Sequence, residues 1–306
     1  MINQRFSLPL DAAWVVSNED FLKQTTWLTS LKLRGGWGKV GDQSAISAYA
    51  SQFLFGSTGN LYYNGATGSW LTSNFSIQNQ NNNLKWESVT SIDVAVDFSL
   101  FQGRLSGSVD YYNKTTNNLL NYYTVPTGGQ YFVGSILANV GTMTNKGFEF
   151  SLNGTVVKSK DFSWNAGVNL SLNRNKIVSL SGALNNTQFN VTQSNVGSTG
   201  GLGISGAVSQ IGYLKVGYPI GTLLLPEYAG QNSAGKQLFY YNHNGTRDTT
   251  SNIGSLNMAD DGTGDRRFYT TDPKFTYGIS NTFKYKNFDM VIFLRGQYGS
   301  KGFQPK

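Results

Sequence analysis

Cysteine is absent from the 306 residues and histidine occurs once, so disulfide scaffolds and thiolate or multi-histidine metal centres are excluded. Proline is held to 6 residues and the 36 glycines follow no strict period, which excludes a collagen-like chain. Charge is scarce too, at 13% against about 25% in an average globular protein. No apolar run approaches the ~18 residues of a membrane-spanning helix, and Met1-Ile2-Asn3-Gln4-Arg5-Phe6 is not followed by the apolar stretch of a signal peptide. Basic residues outnumber acidic ones, 24 to 17, but they come singly or in pairs such as Arg266-Arg267. That surplus is scattered solubilising charge, and no nucleic-acid partner is expected. What is plentiful is aromatic side chain, 14%, too much for a disordered chain. With only 39% hydrophobic residues, the apolar material must be spread thinly, as in a glycine-rich, aromatic-rich β protein.

The organising signal is a period of two. Ile92, Val94, Val96, Phe98 and Leu100 alternate with Ser91, Asp93, Ala95, Asp97 and Ser99. The same alternation runs through Leu31 to Trp37, Leu105 to Tyr111, Phe148 to Val156, Phe162 to Leu172, Phe275 to Phe283 and Phe288 to Leu294. Short connections (101–103, 158–161, 286–287) alternate with long ones (40–86, 115–141, 176–274). Tight turns on one side and long loops on the other are expected of an antiparallel up-and-down sheet spanning a membrane. The long stretch 176–274 must then hold an even number of strands; zero satisfies the parity, but two are expected, Ala207 to Val216 pairing with Ile220 to Ala229. With a first strand around Leu10 to Val16 the total is about ten.

The apolar positions contain no Asp, Glu, Lys or Arg, whereas their neighbours include Asp93, Asp97, Asp110, Glu149 and Arg295. A basic residue at the bilayer midplane costs roughly 2–4 kcal/mol, so the first set is assigned to lipid and the second to a wet lumen. Aromatic pairs at strand ends, Tyr111-Tyr112, Tyr122-Tyr123, Tyr240-Tyr241 and Phe268-Tyr269, together with Tyr285, are expected to form the interfacial girdles. The competing reading is a soluble or surface β-sandwich that binds glycans or acts as an adhesin, its half-solvated sheets showing the same alternation.

Catalysis finds no support. His243 sits alone in the turn-like Tyr241-Asn242-His243-Asn244-Gly245, and no Gly-x-Ser-x-Gly elbow exists. Gly201-Leu202-Gly203-Ile204-Ser205-Gly206 matches a dinucleotide fingerprint without the amphipathic helix such a fingerprint must open. Asp260-Asp261-Gly262-Thr263-Gly264-Asp265 departs from the calcium-loop spacing and reads as a solvated acidic turn. No enzyme, metal or cofactor is expected. Binding is the better prospect: the long 40–86 loop is rich in Asn and carries Tyr62, Tyr63 and Trp70, rings suited to a sugar or peptide.

Several ordered motifs resemble one family. Trp14 with Glu19 and Phe21, Leu31-Lys32-Leu33-Arg34-Gly35-Gly36-Trp37-Gly38, Asn83-Leu84-Lys85-Trp86-Glu87, Asp110-Tyr111-Tyr112-Asn113-Lys114, Asn145-Lys146-Gly147-Phe148-Glu149-Phe150 and Tyr285-Lys286-Asn287-Phe288-Asp289 are similar to the later barrel of SusC/RagA-type TonB-dependent transporters. The resemblance implies a barrel of about 22 strands plugged by a separate N-terminal domain, of which residues 1–306 would be an incomplete segment without plug, signal peptide or final strands. It implies location in the cell outer membrane and import of an oligosaccharide or peptide. Its implied partners are a SusD-like surface lipoprotein and, through the plug, the TonB-ExbB-ExbD complex.

Overall fold

The computed structural model describes residues 9–44, 46–184, 187–198, 210–259 and 261–301. The alternating segments form eight strands: β1 (Leu10–Val15), β2 (Leu28–Asp42), β3 (Glu87–Leu100), β4 (Leu105–Asn117), β5 (Thr142–Lys158), β6 (Phe162–Ser179), β7 (Phe275–Tyr285) and β8 (Phe288–Tyr298). They pair antiparallel in strict sequence order, an open up-and-down sheet with β1 and β8 at its edges. Each strand from β2 onward has 11–18 residues, enough to cross a bilayer when tilted.

The register keeps each periodic set on one face. Arg34, Ala95, Asp110, Glu149, Ser171, Thr276 and Gln297 form one continuous row from β2 to β8. One residue along, Leu33, Val96, Val109, Phe150, Leu170 and Tyr277 form a row on the opposite face. From Trp164 to Leu172, eight steps along β6, that second face is apolar at every alternate residue. At about 3.3 Å per residue this is roughly 26 Å of strand, the order of the ~25 Å lipid band of outer-membrane barrels. Among the described residues it stays open: Val94, Phe148 and Leu294 are 50%, 53% and 56% exposed. The buried apolar cluster lies elsewhere, in the long connections, where Tyr123, Val125, Tyr131, Ile136, Ala138 and Val140 meet Leu184 and Phe189. A sandwich needs a second sheet clamped on the apolar face, and among the described residues there is none.

Two expectations are corrected. The sheet has eight strands, not about ten, because β6 pairs directly with β7 over ten consecutive positions, Phe162↔Tyr285 to Ser171↔Thr276. The expected intervening pair does form, but as Gln210–Lys215 and Thr222–Pro226, strands of 6 and 5 residues that meet only at Gly212↔Leu223 and Tyr213↔Thr222. Both fall short of the ~9–11 residues a spanning strand needs, and they belong to a small sheet built within the 180–274 connection. The aromatic girdle is also narrower than expected. Tyr111 and Tyr285 are on barrel strands, whereas Tyr123 packs the loop core and Phe268 packs against Tyr218, 5.2 Å between ring centres. At the short-turn end the rings that line up are Trp164 stacked on Phe283, with Tyr285 opposite Phe288. Asn281, a polar residue on this apolar face, accepts a 3.0 Å bond from Trp164 Nε1.

Candidate functional site: a charged sheet face and the folded long loops

Asp93, Asp97, Asp110, Glu149 and Arg295 all fall on the polar face, as the alternation requires. Two of them are brought together by a residue that the sequence reading placed on the polar side without giving it a role. Arg34 on β2 donates to both carboxylate oxygens of Asp97 on β3, at 2.7 and 2.8 Å, and to Asp110 on β4 at 2.9 Å. One guanidinium thus braces three strands in a bidentate geometry that fixes their relative slide. Asp93 and Asp11 flank Gly36, where a Cβ would come within 2.6 Å of one Asp11 oxygen and 3.0 Å of Asp93. Glu149 is exposed beside them, and Arg295 stands apart on edge strand β8. Alternation reveals Arg34's face; only the register reveals its partners.

The remaining wall, β5 to β7, changes character. Asn153, Asn169, Ser171, Thr276 and Ser280 carry the polar face there, with hollows of about 280 and 230 Å³ along it. In one row Tyr112 reaches across Gly147 to donate to Asn173 at 3.1 Å, and a side chain at 147 would occupy the phenol's place.

Opposite the short turns, the long connections fold into a cap. Leu54–Asn64 and Ser69–Gln78 make a hairpin in which Tyr63 and Trp70 form a cross-strand pair, edge to face with ring centres 5.3 Å apart. Both are exposed. Tyr62, one residue earlier, is exposed on the other face of the hairpin, so the three proposed binding rings split into a pair and a single. Asparagines tie this loop to the 118–141 connection. Asn79 donates to the Val133 and Ser135 carbonyls and Asn81 to Leu137, while Asn139 clasps both backbone groups of Lys85. Tyr123, in the core beneath, donates to the Val140 carbonyl, and burial pushes its phenol up to about 12.

In the 180–274 connection, a four-stranded sheet (Gln193–Ser198, Gln210–Lys215, Thr222–Pro226, Arg266–Thr270) stands beside a three-stranded one (Tyr228–Gln231, Gln237–His243, Thr246–Thr250). Asn244-Gly245, both with positive φ (48° and 84°), closes the second hairpin. His243 is exposed, its Nδ1 3.3 Å from the Tyr241 hydroxyl. Asp265 is buried and occupied by the Asn242 and Asn257 N–H groups at 2.7 Å each. Asp261 accepts from the Thr263 N–H and hydroxyl, which hold its carboxyl below the usual range. The two carboxylates therefore serve separate local bonds; Asp260 and the Gly201 to Gly206 motif lie outside the described residues.

The family described as TonB dependent receptor-like, beta-barrel matches residues 23–275. TonB-dependent receptor P26 of Formosa agariphila is 32% identical over 298 residues, covering 95% of this chain and 28% of the relative. TonB-dependent receptor SusC of Bacteroides thetaiotaomicron is 30% identical over 290 residues, 94% of this chain and 27% of the relative. Among solved structures, the RagAB peptide importer in its 'open-open' state superposes with a TM-score of 0.72 at 25% identity, over 95% of this chain and 28% of that one. The chain thus spans little more than a quarter of the length of these relatives.

Proposed function

Because the chain belongs to the TonB-dependent receptor β-barrel family of the outer membrane, we propose that it forms one side of the barrel of an energy-coupled importer. The observation that carries this reading is the division of one sheet into a bare apolar face and a charged or hydrogen-bonding face, with no second sheet over the former among the described residues. The eight strands are then part of a larger closed barrel. Unpaired N–H and C=O groups along β1 and β8 cannot face hydrocarbon, so further strands must complete both edges. The lumen wall takes a plug and the solute that passes it, and the loop cap meets the solute first.

The solute is an oligosaccharide or peptide, and the partners are a SusD-like lipoprotein on the cap and the TonB-ExbB-ExbD complex acting through the plug. In support, one similar protein bears the name SusC and one similar structure is of a peptide importer. The exposed Tyr63–Trp70 pair and Tyr62 are the ring surfaces offered to that solute. Cells carrying the protein should accumulate labelled oligosaccharide or peptide above cells lacking it, and an uncoupler should abolish the difference. Accumulation that ignores the uncoupler would refute energy-coupled import. Tyr62, Tyr63 and Trp70 changed to Ala should lower uptake at normal surface level; unchanged uptake removes these rings from the site.

A further inference from the structure

At its long-connection end the apolar face of the sheet gives way to cations. On β6 the apolar alternation stops at Leu172, and the next two residues of the same face are Arg174 and Lys176. The register gathers further basic residues beside them. Arg174 lies directly opposite Lys146 of β5. One step outward, a row runs from Lys176 through Thr144, Thr115 and Thr90 to Lys39 of β2. In the sequence, positions 39, 146, 174 and 176 read as scattered charge; the strand pairings make them one band on the lipid-facing side.

Position fixes the medium this band meets. Leu172 closes the roughly 26 Å of apolar strand that begins at Trp164, and Arg174 is about 7 Å further along, at headgroup level. The long connections of such barrels are extracellular, so the leaflet is the outer one. Just inward, Tyr111 and Phe148 form a tilted ring pair, 4.8 Å between centres, as the interfacial belt requires. Lys146, Arg174 and Lys176 are exposed and Lys39 is half-buried. Arg174 spends Nη1 on the Asn173 and Pro273 carbonyls, at 2.7 and 3.4 Å. Among the described residues no carboxylate lies within ion-pair distance of any of the four cations. Two cations facing each other across a ladder repel, and an anion supplied from outside offsets that repulsion. At this depth on a face turned to hydrocarbon, the anion at hand is a lipid phosphate. We infer that Lys39, Lys146, Arg174 and Lys176 form a headgroup site for an outer-leaflet lipid whose phosphate carries net negative charge, its acyl chains lying along the apolar face below. The inference stands on the membrane placement of the sheet and goes beyond import, since it involves no solute.

The test titrates the full-length protein, purified in detergent, with phosphatidylglycerol or with zwitterionic phosphatidylcholine and counts the lipids retained by native mass spectrometry. Phosphatidylglycerol should bind about fivefold or more tightly than phosphatidylcholine. Lys146→Gln combined with Arg174→Gln should remove most of that preference, whereas the charge-keeping Lys146→Arg combined with Arg174→Lys should retain it. Lys114→Gln, at the same end of β4 but on the opposite face, should change nothing. Where the Gln pair prevents assembly, raising the ionic strength screens the same contacts in the native protein and should cut the preference. Inorganic phosphate should compete no better than chloride at equal ionic strength. Equal affinity for the two lipids, a preference that survives the Gln pair or ignores salt, or equal loss in Lys114→Gln overturns the inference. Selective displacement by inorganic phosphate does so too, because it marks a site for soluble anions. Uncoupler-sensitive uptake is scored separately in cells, so failure here leaves the importer reading standing.

Discussion

Tyr123 shows how a single residue holds the cap together. Its ring is 2% exposed, tilted against Phe189 at 5.0 Å, and its hydroxyl donates to the Val140 carbonyl. Burial disfavours the phenolate and raises the folded value from 10.0 to about 12, so ionisation pulls toward the opened cap. The contribution, roughly 2–3 kcal/mol, is whole below the unfolded phenol's value and is lost as pH rises from there toward 12. In an alkaline absorbance titration, the difference between the native chain and Tyr123→Phe should show one phenol titrating near 12; ionisation together with the exposed tyrosines near 10 would contradict the packing. None of this is readable in Tyr122-Tyr123, because adjacent tyrosines carry no mark of which one turns inward. The pairing of Leu120–Thr124 with Ser135–Asn139 decides it, leaving Tyr122 61% exposed.

At the scale of the strand, alternation alone distinguishes the two faces, which is why the polar placement of Asp93, Asp97, Asp110, Glu149 and Arg295 was legible without coordinates. What alternation cannot supply is which strand lies beside which. Arg34 opposite Ala95, rather than opposite Asp97, is a register fact, and so is the reach of its guanidinium to both Asp97 and Asp110. The direct β6–β7 pairing was hidden for a related reason. Short strands in a long connection show the same period of two as spanning strands, and only their length betrays them. Within β6, Val168 and Asn169 are neighbours on opposite faces. Val168→Lys should cost about 2–4 kcal/mol in membrane-folded stability, while Asn169→Lys should cost less than about 1 kcal/mol. Urea unfolding in vesicles measures both, and equal costs would mean the two faces meet the same medium.

For the whole molecule, the absence of cysteine from these 306 residues becomes an asset, since a thiol introduced among them is the only one in this segment. The account depends on one sheet separating hydrocarbon from water, with Ala166, Val168, Leu170 and Leu172 on one side and Asn165, Gly167, Asn169, Ser171 and Asn173 on the other. The loop cap and the braced charges take their orientation from that separation. Single cysteines placed at 166 to 172 in the protein reconstituted in vesicles, each carrying a polarity-sensitive fluorophore, can be read against a lipid-confined and a water-confined quencher. Labels at 166, 168, 170 and 172 should respond to the lipid quencher and those at 167, 169 and 171 to the aqueous one. An inverted pattern, or aqueous quenching at every position, would contradict the barrel.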